Sequence, residues 1–87
     1  MKILIADDSS FMRKILVNTL KKEGHDFIHA TNGEESVIKY KKEKPDLVLL
    51  DIIMEKRDGI EVLKDIIKMN PKVKDEVEII LADIYIE

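Results

Sequence analysis

The chain has no cysteine and no tryptophan, and only three glycines and two prolines occur among its 87 residues. Without cysteine it has no disulfide framework, no thiolate ligand for zinc or an iron–sulfur cluster, and no thiol nucleophile. The small number of glycines and prolines excludes a linker or a low-complexity chain. Hydrophobic residues at 45% and charged residues at 38% are instead typical of one small globular domain with an ionic surface.

The sequence also lacks a concentrated basic segment and a long apolar one. A net charge of −3 argues against a nucleic-acid-binding module, because binding of phosphates requires a basic face. The first apolar run, residues 3–6, is too short for a signal peptide or a membrane span, and Asp7 and Asp8 follow it directly. We therefore expect a cytoplasmic protein that binds neither nucleic acid nor a membrane.

Hydrophobic patterning predicts four strands that alternate with three helices. The runs 3–6 and 46–50, which are apolar except for Asp46, are typical of strands that are buried on both faces of a parallel sheet. A second strand is predicted at 27–30, and a last one at 77–82 with an extension toward residue 86. The order β-α-β-α-β-α-β predicts an α/β fold, in which right-handed crossovers place helices on both faces of the sheet.

The helices are predicted from apolar residues at helical spacing and from residues that begin or end helices. The first helix begins at Ser9 or Ser10 and ends at Gly24. For the second helix, 34–42, the residues expected on the inner face or its rim are Val37, Ile38 and Tyr40. For the third helix, the expected buried stripe consists of Ile60, Leu63, Ile66 and Ile67.

Two of the apolar runs end in acidic residues, with Asp7 and Asp8 after the first strand and Asp51 after the third. If these strands are neighbours in a parallel sheet, the three carboxylates meet at one edge, where open α/β sheets bind their ligands. The carboxylates would repel each other unless a hard cation such as Mg²⁺, which prefers oxygen ligands, compensates their charge. Charge and spacing alone leave an alternative open, in which Asp7 and Asp8 end a strand and Asp51 begins a loop.

These acidic residues lie in segments that resemble the receiver domain of two-component response regulators, especially the stand-alone chemotaxis type. The segments are residues 3–13, residues 45–54 and Asp58-Gly59. The resemblance extends over residues 1–74, and the combination of motifs is more specific than each motif alone. It implies a flavodoxin-like three-layer α/β sandwich with a parallel sheet, whose strand order 2-1-3-4-5 is a known property of such regulators.

The resemblance also implies a role in a phosphorelay, as a signalling module and not as an enzyme. Asp51 would accept a phosphoryl group from a phosphohistidine of a partner histidine kinase. Asp7, Asp8 and Asp51 would hold Mg²⁺, with the backbone carbonyl of Ile53 as a further ligand. This chemistry is physically reasonable, because phosphoryl transfer needs an in-line nucleophile and cations that neutralise the phosphoryl oxygens.

The last part of the sequence departs from the family pattern. A family receiver has five βα units, whereas this chain ends in or just after the fourth predicted strand, so we expect one incomplete domain over 1–87 with an atypical tail at 75–87. Ala82 or Asp83 stands where the family has Ser or Thr, no lysine follows a fifth strand, and Glu55 replaces the usual proline. We expect Mg²⁺ binding and weak phosphorylation without full activation, because partners of the phosphoryl oxygens are missing.

Two other functions fit parts of the pattern. A degenerate or engineered receiver fragment would self-associate, as a homodimer or by swapping, through an exposed fourth strand and its tail. The apolar residues expected at that edge are Ile79, Ile80, Leu81, Ile84, Tyr85 and Ile86. A metal-dependent phosphatase with an aspartate nucleophile is disfavoured, because such enzymes need a second acid at the position of Ile53.

Overall fold

Strands and helices alternate along the chain in the predicted order. The computed structural model describes residues 1–72 and 78–82. The strands are β1 (Lys2–Ala6), β2 (Asp26–Ala30), β3 (Leu47–Asp51) and β4 (Glu78–Ala82), and the helices are α1 (Ser10–Leu20), α2 (Gly33–Glu43) and α3 (Gly59–Met69), with a 3-10 turn at Lys21–Glu23. Val77 and the tail residues 83–87, which include Asp83 and the apolar residues 84–86 of the predicted edge, lie outside the described residues.

The four strands of the described residues form one parallel sheet in the order β2-β1-β3-β4. This order is the one that the resemblance implies, and it confirms the flavodoxin-like fold. β1 pairs with β3 in a register that sets Ala6 opposite Leu50. The two strands therefore end at the same level, and the next residues, Asp7 and Asp51, come side by side. On the other side of β3, Ala82 pairs with Asp51.

The main core lies between the sheet and helices α2 and α3. Its buried members are Leu4, Ala6, Ala30, Tyr40, Val48, Leu50, Met54, Val62 and Ile66. Two predictions for this core are wrong, because Ile38 in α2 is 59% exposed and Ile60 in α3 is 40% exposed. Ser36 and Tyr40 are buried in α2, and Val62 and Ile66 are buried in α3. Each wrongly predicted residue lies two positions from a buried one, and residues two apart do not share a helix face.

The opposite face of the sheet is covered less completely. The connection from β1 to β2 crosses the sheet in the opposite direction to the later connections. Because all crossovers are right-handed, α1 therefore lies on this face. Ile3 and Ile5, which alternate with the residues of the main core, are fully buried there. α1 itself has no buried residue, and its Phe11 and Ile15 are 65% and 37% exposed.

Side chains and left-handed residues define the ends of the helices. Ser9 accepts a hydrogen bond from the N–H of Met12, and Asn32 and Asp58 cap α2 and α3 in the same way. Gly24 ends the 3-10 turn with φ 74°, as predicted for the end of the first helix. Among the described residues, none of the helices combines the length and the hydropathy that a membrane span requires.

The two edges of the described sheet differ in their surroundings. β2 forms one edge, where Nζ of Lys39 donates a hydrogen bond of 2.5 Å to the carbonyl oxygen of His29 and pairs with Glu35 at 3.2 Å. β4 stands at the other end of the strand order, and among the described strands it pairs with β3 alone.

Candidate functional site at the carboxyl ends of the strands

Three carboxylates meet where β1 and β3 end. One oxygen from each of Asp7, Asp8 and Asp51 lies within 4.8 Å of the other two. Asp7 is buried, Asp51 is half-buried and Asp8 is exposed. The structure thus brings together the three acidic side chains that the sequence singles out, at the edge where the strand order reverses.

The turn between β1 and α1 holds Asp7 through its backbone and its side chain. Its N–H donates to the carbonyl oxygen of Ala30 at 3.0 Å, and its Oδ1 accepts a hydrogen bond from the N–H of Ser9 at 2.9 Å. Nη1 of Arg13 donates to the carbonyl oxygen of Asp7 at 2.5 Å. The carboxylate of Asp8 makes no hydrogen bond or ion pair with the described residues, so its position depends on the backbone that carries it.

Asp51 is held by the loop that leads from β3 to α3. Its Oδ1 accepts a hydrogen bond from the N–H of Ile53 at 3.2 Å, and the carbonyl oxygen of Ile52 accepts one from the N–H of Gly59 at 2.7 Å. A Cβ atom at position 59 would lie 2.2 Å from the carbonyl oxygen of Asp51. A residue without a side chain therefore lets α3 begin directly against the backbone of Asp51. Ile53 itself is 57% exposed.

The same loop is attached to the beginning of α2. The carbonyl oxygen of Glu55 accepts hydrogen bonds from the N–H of Gly33 at 3.3 Å and from that of Arg57 at 2.8 Å. A Cβ atom at Gly33 would lie 1.8 Å from the carbonyl oxygen of Arg57. Between these contacts, Lys56 adopts a left-handed conformation with φ 68°. The backbone around Asp51 is thus fixed to both α2 and α3.

The carboxylate cluster suits a hard divalent cation. Carboxylate oxygens are ligands that Mg²⁺ prefers, and opposite ligands of one Mg²⁺ lie about 4.2 Å apart, close to the 4.8 Å within which the cluster oxygens lie. Two unit negative charges at the 4.8 Å limit repel each other by about 3.5 kcal/mol at an effective dielectric constant near 20, and the exposure of Asp8 reduces this value. A divalent cation would offset the repulsion, so the donor atoms and their charge both fit Mg²⁺.

One positively charged side chain approaches the site from α1. Arg13 is half-buried, and its Nε is buried without a hydrogen-bond partner among the described residues. Partial desolvation of the His29 ring, together with the charges of Arg13 and Lys39, holds the pKa of His29 below its ordinary value. The sequence does not single out Arg13, although its place one helical turn after the N-cap Ser9 puts it within reach of the preceding turn.

Comparison with known proteins gives a family and several relatives. Residues 3–85 match the family model of the response regulator receiver domain. The chemotaxis protein CheY of Thermotoga maritima is 45% identical over 74 residues, which are 84% of this chain and 62% of that protein. The alkaline phosphatase synthesis transcriptional regulatory protein PhoP of Bacillus subtilis is 45% identical over 65 residues, 75% of this chain and 27% of that protein. The chain therefore spans less than two thirds of the length of these relatives.

Solved structures agree with the sequence relatives. A chain in the crystal structure of the CheX–CheY–BeF3–Mg2+ complex from Borrelia burgdorferi is similar with a TM-score of 0.83 and 39% identity, over 93% of this chain and 60% of that chain. The response regulator domain of Thermotoga maritima CheB has a TM-score of 0.82 and 34% identity, over 93% of this chain and 58% of that one.

Proposed function

Because this chain belongs to the response regulator receiver domain family, we propose that it accepts a phosphoryl group on Asp51 from a phosphohistidine of a partner kinase, with Mg²⁺ at the carboxylate cluster. The observation that carries the proposal is the approach of Asp7, Asp8 and Asp51 within 4.8 Å of one another at the ends of adjacent strands. Family membership makes the chain a signalling domain, whose substrate is the phosphoryl group that it receives.

The proposed reaction is a transfer between two side chains. A carboxylate oxygen of Asp51 attacks the phosphorus atom, the phosphorus–nitrogen bond of the phosphohistidine breaks, and the bonding electron pair leaves with the imidazole nitrogen, which is then protonated. The product is an acyl phosphate on Asp51. Mg²⁺ would supply neutralisation of the charge on the phosphoryl oxygens. Half-burial of Asp51 leaves its carboxylate accessible, and the backbone contact with Gly59 limits its movement.

The acidic residues have different parts in this proposal. Asp7 is buried and its Oδ1 is hydrogen-bonded to Ser9, which suits an anchored ligand. Asp8 is exposed and has no described partner, which suits a ligand that reaches the ion directly or through water. The backbone carbonyl of Ile53, in the loop after Asp51, is proposed as a further ligand on the strength of the family resemblance.

We expect the phosphorylation to be weak in this 87-residue chain. Ala82 pairs with Asp51 in the register of the sheet, and alanine offers no hydroxyl group to a phosphoryl oxygen. Glu55 also adds a negative charge to the loop that follows Asp51. Fewer hydrogen bonds and more negative charge near the transferred group both raise the barrier for its arrival.

A small acyl phosphate such as acetyl phosphate tests the proposal without knowledge of the kinase. The chain is incubated with this donor and Mg²⁺, and the gain of one phosphoryl group is followed by intact mass. We expect partial labelling that disappears in Asp51→Asn and in EDTA. Asp26→Asn, at the exposed beginning of β2, is the matched control and should label like the parent. Labelling of Asp51→Asn, or full stoichiometry in EDTA, would contradict the assignment.

Self-association through β4 is the second candidate function. Its support is the position of β4 at the end of the strand order, where it pairs with β3 alone among the described strands. An unpaired strand edge is a template for a strand from another chain. Sedimentation velocity over a range of micromolar concentrations distinguishes the two functions, since association that persists in Asp51→Asn is independent of phosphorylation. A monomer at every concentration would exclude this candidate.

A further inference from the structure

The turn that carries Asp8 is fixed at its carbonyl side by a side chain from α1. Nη1 of Arg13 donates a hydrogen bond of 2.5 Å to the carbonyl oxygen of Asp7. This oxygen belongs to the planar peptide group that joins Asp7 to Asp8. A hydrogen bond that fixes the plane of this group also fixes the position from which the side chain of Asp8 starts.

Asp8 has a particular need for such support. Asp7 is secured at its N–H by Ala30 and at its carboxylate by Ser9. The carboxylate of Asp8 is exposed and has no hydrogen bond or ion pair with the described residues. Its distance from the other two carboxylates is therefore set through the backbone, to which Arg13 contributes a charge-assisted hydrogen bond.

The guanidinium group of Arg13 is not used for a conventional ion pair. No carboxylate in the described part of the chain forms a salt bridge with it, and its Nε is buried without a described partner. Leaving a buried donor unsatisfied is unfavourable for folding. Its contribution to stability therefore does not explain an arginine at this position. Its Nη1 and its charge instead lie against the turn beside the carboxylate cluster.

We infer that Arg13 is a positioning residue for the metal site: its hydrogen bond to the Asp7 carbonyl orients the Asp7–Asp8 peptide and keeps Asp8 within reach of a cation shared with Asp7 and Asp51. This inference rests on the proposed function, because it assumes that the cluster binds Mg²⁺. Arg13 acts through the backbone and does not contact the transferred group.

The test compares Mg²⁺ affinity with stability in the absence of metal. Arg13→Met keeps the length and apolar part of the side chain and removes the donor and the charge. We expect its Mg²⁺ dissociation constant, measured by isothermal titration calorimetry, to rise about tenfold, as for other residues that support metal ligands. Its free energy of unfolding in EDTA, from urea titrations followed by circular dichroism, should be unchanged or higher, because an unsatisfied buried donor is lost.

Two further variants separate positioning from general charge effects. Lys14→Met removes one positive charge from an exposed neighbouring position on α1, and its Mg²⁺ dissociation constant should stay within about twofold of the parent in physiological salt. Arg13→Lys keeps the charge and a donor, and it should recover part of the lost affinity.

Each result bears on a different part of the inference. Equal loss of affinity in Arg13→Met and Lys14→Met, parental affinity in Arg13→Met, or no recovery in Arg13→Lys would overturn the positioning role. Loss of stability in EDTA that matches the loss of affinity would show a structural role instead. A parent chain that binds no Mg²⁺ would refute the proposed metal site itself, which the other outcomes leave intact.

Discussion

Replacing Gly59 with alanine tests whether the contact between α3 and the backbone of Asp51 is as close as the structure indicates. The added Cβ would lie 2.2 Å from the carbonyl oxygen of Asp51, and the neighbouring carbonyl carbon and the Cα of Ile52 would each lie 2.9 Å away. All three are backbone atoms, so no flexible side chain can move aside. Ordinary contact begins at 3.4 Å, and relief therefore requires a shift of about 1 Å between two packed elements.

The energetic cost of this shift can be estimated from its parts. Overpacking against a rigid neighbour costs about 1 to 3 kcal/mol, and weakening the 2.7 Å hydrogen bond from the Gly59 N–H to Ile52 adds about 1 kcal/mol. Alanine also lowers the conformational entropy of the unfolded chain relative to glycine, which offsets about 0.4 to 1 kcal/mol of this loss of stability. We expect Gly59→Ala to lower the free energy of unfolding by about 1 to 3.5 kcal/mol, which is the sum of these three contributions.

Gly24→Ala is the matched control for this experiment. Gly24 has φ 74°, and beyond its chain neighbours no atom lies within 4 Å of the position that an added Cβ would take, whereas Gly59 is outside the left-handed region. The control should therefore lose about 1 kcal/mol from backbone strain alone. Urea unfolding followed by circular dichroism measures both variants, and Mg²⁺ titration reports the displacement of Asp51. The reasoning is refuted if Gly59→Ala is no less stable than Gly24→Ala and binds Mg²⁺ like the parent.

For three other substitutions, the expected change in stability follows from the surroundings of one residue. Val62→Ala should lower the free energy of unfolding by about 2 kcal/mol, because the side chain is fully buried, and a larger loss in Ile60→Ala would contradict the assignment of the buried face of α3. Lys56→Gly should raise the free energy of unfolding by about 0.5 to 1 kcal/mol, since glycine adopts φ 68° without strain; thermal denaturation showing a lower midpoint would exclude this. The pKa of His29 is lowered in the folded chain, so the unfolded chain binds more protons and stability decreases as the pH falls below 6.5. In His29→Gln, urea titrations between about pH 7.5 and about pH 5 should show a smaller decrease in the free energy of unfolding than in the parent. Identical pH profiles of the two proteins would contradict this prediction.

The strands and the acidic cluster could be predicted because they depend on patterns along the chain. Residues 3–6 and 47–50 are continuous apolar runs, and such runs in alternation with helices leave few arrangements besides a parallel sheet. Once β1 and β3 are neighbours, the positions of Asp7, Asp8 and Asp51 directly after apolar segments bring them to one edge. The strand order itself came from the family resemblance and not from the pattern.

The remaining features depend on contacts between elements, which a single sequence does not encode in a readable form. Gly59 reads as a turn or cap residue, whereas its steric role is visible only when the backbone of Asp51 is placed beside it. Ile60 and Val62 are both apolar and both compatible with a helical stripe, and the packing of α3 selects Val62. The sequence does not single out Arg13, because its partner is a backbone oxygen six residues earlier.

The hydrogen bond from Lys39 to the carbonyl oxygen of His29 protects the β2 edge of the sheet against strand addition. A strand that arrived beside β2 would have to displace an ammonium group from that oxygen, which is unfavourable. Continuous growth into a fibre requires an accessible sheet edge on both sides of every copy, whereas pairing through β4 would use the same edge of both partners. One lysine on α2 thereby disfavours growth of an assembly through β2.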